Sequence, residues 1–202
     1  MGEMLQKSMR RKTVFFALFT YCICSIVSLT IIQAKETKTC EVFFSPRGDC
    51  TDAVIKEINK AKSSIFVMAY SFTSAPIAKT LLDAKKRGVK VEVIIDHSRN
   101  TEKYTETRFF NNMGIPVYVD SKEAIQHNKV MIIDSETVIT GSFNFTKAAE
   151  EKNAENLLVI KSKELAKVYL ENWEKHRDHS ISYCTKCPCQ YPHYSFSKQP
   201  RQ

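Results

Sequence analysis

The stretch His127 to Asn144, HNKVMIIDSETVITGSFN, decides how the rest of the chain is read. Apolar, mostly β-branched runs at 130–133 and 138–139 flank the polar turn 134–137, which predicts strand, turn and strand. Side chains alternate faces along a strand, so His127 shares a face with Lys129, and Ser142 with Asn144. If the hairpin register aligns those two faces, an imidazole, an ammonium, a hydroxyl and a carboxamide converge. Such a group suits a phosphoryl centre, with one atom to attack phosphorus and several donors for its oxygens. Asp134 lies an odd number of residues from Lys129 and so should face away from that pair. It stands where the strand ends, a position at which aspartate hydrogen-bonds nearby backbone N–H groups, and is expected to be structural.

The spacing His-x-Lys-x4-Asp-x6-Gly-Ser-x-Asn resembles the signature of the phospholipase D superfamily, with His127, Lys129, Asp134, Gly141, Ser142 and Asn144 in its fixed positions. The resemblance spans about Cys40 to Arg177 and is nearest to the small, single-motif, Nuc-type bacterial endonucleases. It implies a phosphodiesterase in which His127 forms a phosphohistidine. Lys129 and Asn144 would stabilise charge on the phosphoryl oxygens, while Ser142 and Glu155 hold the imidazole and substrate. Gly141 and Asp134 would be structural members of the motif. In the small nucleases a glutamate at the spacing of Glu155 hydrogen-bonds the catalytic histidine; a solvated surface glutamate is the alternative. No cofactor and no catalytic metal is implied. His97, His176, His179 and His193 are not followed by x-Lys, so the chain carries one motif. In this family that implies a homodimer with two motifs meeting in a shared active site.

Upstream of the motif, periodicity predicts a helix from Asp49 or Thr51 to about Ala61, a fully covered strand over Ser64–Tyr70, and a helix opened by Pro76 and closed by Gly88. A strand follows over Val89–Asp96, then a polar helix over Thr101–Met113 and a short strand over Ile115–Val119. A last helix runs from Ser162 to about Arg177. The alternation implies an α/β fold: a mixed, largely parallel β-sheet flanked by helices on both faces.

Residues 1–34 are expected to be a signal peptide or N-terminal membrane anchor, 35–179 the phosphodiesterase domain, and 180–202 an irregular Cys/Pro-containing tail. Lys7, Arg10, Arg11 and Lys12 precede an uncharged run, residues 14–32, about 28 Å long as a helix, close to a bilayer core of about 30 Å. Both readings keep the basic flank inside and export the domain, to the periplasm, the medium or the outer side of the bacterial inner membrane. Without residues 1–34 the chain keeps 26 basic and 21 acidic residues, a net +5, which favours a polyanionic partner. In an oxidising compartment Cys40 and Cys50 suit a disulfide closing the intervening loop; in a reducing one both would be thiols. Cys184, Cys187 and Cys189 have a C-x2-C-x-C spacing that lacks a second complete ligand pair, so a disulfide-containing or irregular tail is favoured over zinc.

Three functions compete. One is a metal-independent, non-specific endonuclease acting on DNA or RNA. The second is a phospholipase D that releases phosphatidate from anionic or zwitterionic lipids. The third, a non-catalytic adhesion or binding module, is disfavoured because no motif residue is lost. A mitochondrial relative would carry a cysteine-rich insertion that the short Cys40–Cys50 loop does not match.

Overall fold

The motif hairpin lies inside a sheet of eight strands. The computed structural model describes residues 38–99 and 106–183. Within them run β1 (Thr39–Ser45), α1 (Cys50–Lys60), β2 (Ser64–Ala69), α2 (Ala75–Lys86), β3 (Lys90–Asp96), α3 (Thr107–Asn112) and β4 (Val117–Asp120). They are followed by β5 (Lys129–Ile133), β6 (Thr137–Gly141), α4 (Lys147–Glu151), β7 (Glu155–Lys161), α5 (Lys163–His179) and β8 (Ile181–Ser182). The strand order is β1-β7-β6-β5-β2-β3-β4-β8.

The sheet is mixed and flanked by helices on both faces, but it is not largely parallel. Only β2–β3 and β3–β4 pair in parallel; the other five pairs are antiparallel. The parallel pairs are those joined by the crossover helices α2 and α3. β5 and β6 share a tight turn and β6 reaches β7 through α4, five residues long, connections too short for a parallel crossover; α1 and α5 do cross the sheet, but the strands they join are not neighbours in it. The alternating strand–helix pattern covers only the first half of the domain.

Alternation along β2 divides the core. Ile65, Val67 and Ala69 point to the larger side, where they meet Val54 and Ile58 of α1 and Ile77 and Leu81 of α2. Phe66 and Met68 point to the smaller side, beneath Ala166 and Trp173 of α5. Each of these β2 side chains is buried, which is why 64–70 reads as one unbroken apolar run. Trp173 is pinned as well as packed, its indole N–H donating to Val67 O at 3.0 Å. Ser162 caps α5, its Oγ accepting from Leu165 N at 3.2 Å.

The expected Cys40–Cys50 disulfide is corrected: both are free thiols, Cys40 exposed and Cys50 buried. Cys40 shares the parity of Val42 and Phe44, both exposed, whereas Phe43 packs against the larger core that contains Cys50. Cys40 therefore leaves the exposed face of β1, while Cys50, the first residue of α1, lies in the core on the other side of that strand. Burial, with help from Glu150 and Asp49, pushes the Cys50 thiol up to about 11, so it is inert. The helix expected over 101–113 is found as α3, with 100–105 outside the described residues. The leader, residues 1–34, and the tail with Cys184, Cys187 and Cys189 also lie outside them.

Candidate active site

The motif sits at the edge of the sheet where β2 and β3 end, the end at which open α/β sheets bind ligands. Its backbone is held before any catalytic side chain is considered. Asp96, fully buried at the end of β3, accepts from Gln126 N at 2.7 Å. The Gln126 side chain is buried too, and its Oε1 accepts from Asn128 N at 2.7 Å. Tyr70 N donates to Asn128 O at 2.9 Å. His127 is thereby fixed from both neighbours while its own side chain stays exposed.

The imidazole of His127 lies against the Tyr70 ring, with centroids 4.5 Å apart. Lys129 Nζ stands 5.0 Å from the centre of the same ring and donates to His127 O at 2.8 Å. The Arg99 guanidinium is 4.5 Å from that centre and also hydrogen-bonds the Tyr70 hydroxyl. Lys129 is buried, and loss of solvation pulls its ammonium down to about 8, with the negative charge of Glu155 opposing the shift. Glu155 therefore acts on Lys129 through the field. Among the described residues its carboxylate hydrogen-bonds Asn153 Nδ2, at 3.1 Å, and not the His127 ring.

Ser142 and Asn144 take positions that strand alternation does not describe. The β5–β6 register pairs Ile133 with Thr137 and Met131 with Ile139. Carried on in the same steps, it sets Lys129 across from Gly141 and Ser142 across from Asn128, so the two faces are not aligned as a simple hairpin would require. β6 ends at Gly141, where φ is 146° and an added Cβ would stand 2.3 Å from Asn156 O. That close approach lets Asn156 O accept from both Ser142 N (3.1 Å) and Phe143 N (3.2 Å). Ser142 Oγ faces Asn156, accepting from its backbone N at 3.1 Å. Phe143 and Phe145 are buried in the larger core, and Asn144, between them, has an Oδ1 that is buried without a hydrogen-bond partner among the described residues. Carboxamide O and N exchange by a half-turn, so Asn144 is a polar group held in place with an unfilled bonding capacity.

Asp134 lies at the far end of β5. Its Oδ1 accepts from Ser63 N (2.7 Å), Ser63 Oγ (2.8 Å) and Ser64 N (3.0 Å), and its Oδ2 from Lys62 N (2.9 Å). Burial alone would raise this carboxyl, but those N–H donors outweigh it and hold it below its ordinary value. Asp134 ties the β5–β6 turn to the start of β2, a strand's length from His127.

The sequence reading missed Tyr70, Arg99, Asp96 and Gln126. Their one available signal was position: Tyr70 and Asp96 end apolar runs, and Arg99 follows one. As a whole, the site offers an exposed nucleophile, two cations around an aromatic ring, a carboxylate and an unsatisfied carboxamide. It can hold an anionic tetrahedral group and attack it.

Comparisons with known proteins agree with this chemistry. The sequence model of the family described as "Cardiolipin synthase, PLD-like domain" matches residues 54–177. A phospholipase D of Rickettsia felis is 42% identical over 146 residues, 72% of each chain. Among solved structures, the phospholipase D family member Nuc of Salmonella typhimurium has 45% identity and a TM-score of 0.71, covering 74% of this chain and all of that one. NucT of Helicobacter pylori has 26% identity and a TM-score of 0.69, covering 73% of this chain and all of that one.

Proposed function

This chain belongs to the phospholipase D-like family and is a hydrolase of phosphodiester bonds, and from that premise we propose that its substrate is nucleic acid, cut by an exported homodimer without a catalytic metal. The observation that carries the reading is the setting of His127: exposed, tilted against the Tyr70 ring, with Arg99 and Lys129 around the same ring. Cations and an aromatic face beside an open nucleophile suit a strand of phosphates and bases lying across the surface. The net positive charge acts in the same direction. A phospholipid substrate is the second reading, supported by the name of the Rickettsia relative and by the apolar run 14–32, which would bring the domain to a membrane.

In the proposed reaction a ring nitrogen of His127 attacks phosphorus. The N–P bond forms as the bond to the leaving oxygen breaks, and that oxygen takes a proton from the partner's His127. Water then attacks phosphorus and gives its proton to the same partner imidazole. The N–P bond breaks and both histidines are restored. Lys129 and Asn144 stabilise charge on the non-bridging oxygens through this cycle. Glu155 keeps Lys129 charged, which the pull of burial would otherwise oppose.

The test is a side-by-side assay of plasmid DNA, single-stranded RNA and phosphatidylcholine vesicles at 25 °C, with and without EDTA. Nucleic-acid cleavage that persists in EDTA is expected. Cleavage of the lipid alone would replace the nuclease reading with the lipase one, and activity lost to EDTA and restored by magnesium would overturn the metal-free mechanism.

A further inference from the structure

Beyond the residues gathered around His127, Asp120, Glu123, His176 and His179 bring one ligand atom each to within 4.8 Å of one another. Asp120 ends β4, Glu123 lies three residues beyond it, and the two histidines stand one turn apart in the last turns of α5. Asp120 is the register partner of Asp96, so the cluster lies along the same edge of the sheet as the group around His127, one strand further out on β4 and sharing no residue with it.

Charge and geometry both make the cluster unusual. The Asp120 side chain is fully buried, and its two oxygens face His176 Nδ1 at 2.6 Å and His179 Nε2 at 3.1 Å. Glu123 Oε2 addresses the same two nitrogens, at 3.9 and 3.6 Å. If the imidazoles are neutral, two carboxylates converge with no cation between them, one in a place closed to water. A single dication would neutralise both carboxylates and use both ring nitrogens as ligands. In a tetrahedral site with bonds of about 2.0–2.1 Å, ligand atoms stand about 3.3 Å apart. The four nitrogen–oxygen separations bracket that value, each within about an ångström of it, and no pair of ligand atoms is more than 4.8 Å apart.

We propose that Asp120, Glu123, His176 and His179 form a structural site for a divalent transition-metal ion, with zinc the best match to two imidazoles and two carboxylates. The ligand set is mixed nitrogen and oxygen, four in number and free of thiolate, which suits zinc better than magnesium or calcium. The surroundings already fix the ligands: Asp120 Oδ1 also accepts from Lys122 N at 3.1 Å, and Ser180 Oγ donates to His176 O at 2.6 Å. Glu123 is half exposed, which gives the ion a way in. Bound there, the ion would staple the end of α5 to β4 at the point where β8, two residues long, pairs with that same strand.

The experiment uses the full chain, reduced, stripped of metal and reloaded with zinc, with bound metal measured by mass spectrometry and affinity by competition with a chromogenic chelator. One zinc per chain is expected in the wild type and in a variant with Cys184, Cys187 and Cys189 all changed to Ser. His176→Ala with His179→Ala should weaken binding by more than about 100-fold, beyond what losing a supporting residue costs. Glu123→Ala, at the most exposed of the four side chains, should weaken it as well. Zinc should raise the melting temperature of the wild type and leave that of the histidine double variant unmoved. Cobalt in place of zinc should show d–d bands without thiolate charge transfer. Wild-type affinity in the histidine double variant, or no zinc in the cysteine variant, would overturn the proposal.

Discussion

Replacing Asp134 separates the structural from the chemical role of a residue inside the motif. Asp134→Asn keeps the Oδ1 that serves Ser63 and Ser64 but turns an amide N–H toward Lys62 N, so one bond is lost, two donors face each other, and the charge assistance of the rest disappears. At a partly exposed site this should cost about 1–2 kcal/mol. Asparagine tolerates the backbone here, where φ is 54°. Asp134→Ala loses all four bonds and adds the left-handed cost, for a total of about 2–4 kcal/mol. In a domain of this size each kcal/mol moves the melting temperature by about 2–4 °C, giving roughly 2–8 °C for Asn and 4–16 °C for Ala. The sign with pH follows from the depressed carboxyl. The stabilisation is present above its ordinary value of 3.8 and is lost as pH falls through the folded-state value, so the wild type and Asp134→Asn should converge in strong acid. Urea unfolding gives the stabilities, and initial rates on plasmid DNA give the turnover of the folded fraction. Should folded Asp134→Asn lose as much turnover as His127→Ala, the placement of Asp134 outside the chemistry would be wrong.

Three other outcomes are expected. His127→Ala should cut turnover by at least about 1,000-fold with the fold intact by circular dichroism. When it is mixed in equal amounts with wild type under free exchange, activity should approach about a quarter, and activity holding at half would rule out a shared site. The rate should fall as pH rises past about 8, because Lys129 is charged below that value and neutral above it; Glu155→Gln should move this fall to lower pH, and an unmoved profile would remove Lys129 from the reaction. Gly141→Ala drives a methyl to 2.3 Å from Asn156 O at a φ that alanine resists, so lost stability by urea titration is expected, with loosened protection of the Ser142 and Phe143 amides in hydrogen exchange.

The candidate motif was legible because spacing survives without coordinates: His127, Lys129, Gly141, Ser142 and Asn144 stand at fixed intervals on one strand–turn–strand. The role expected for Asp134 came from the same source, since parity along a strand is a local property. Parity stops at Gly141, where a close approach to Asn156 O redirects the chain, so where Ser142 and Asn144 point was decided by β7, a distant strand. The direction of the sheet also escaped local reading. Strand–helix alternation describes β2 to β4, while β5, β6 and β7 are joined by connections too short to cross. The disulfide failed for a reason of faces: ten residues separate Cys40 from Cys50, but one lies on the exposed side of β1 and the other in the core. Tyr70, Arg99, Asp96 and Gln126 gather around His127 only because three strands end at one edge. Asp120 and Glu123 meet His176 and His179 only because α5 folds back over the sheet, and more than fifty residues of intervening chain carry no trace of that contact.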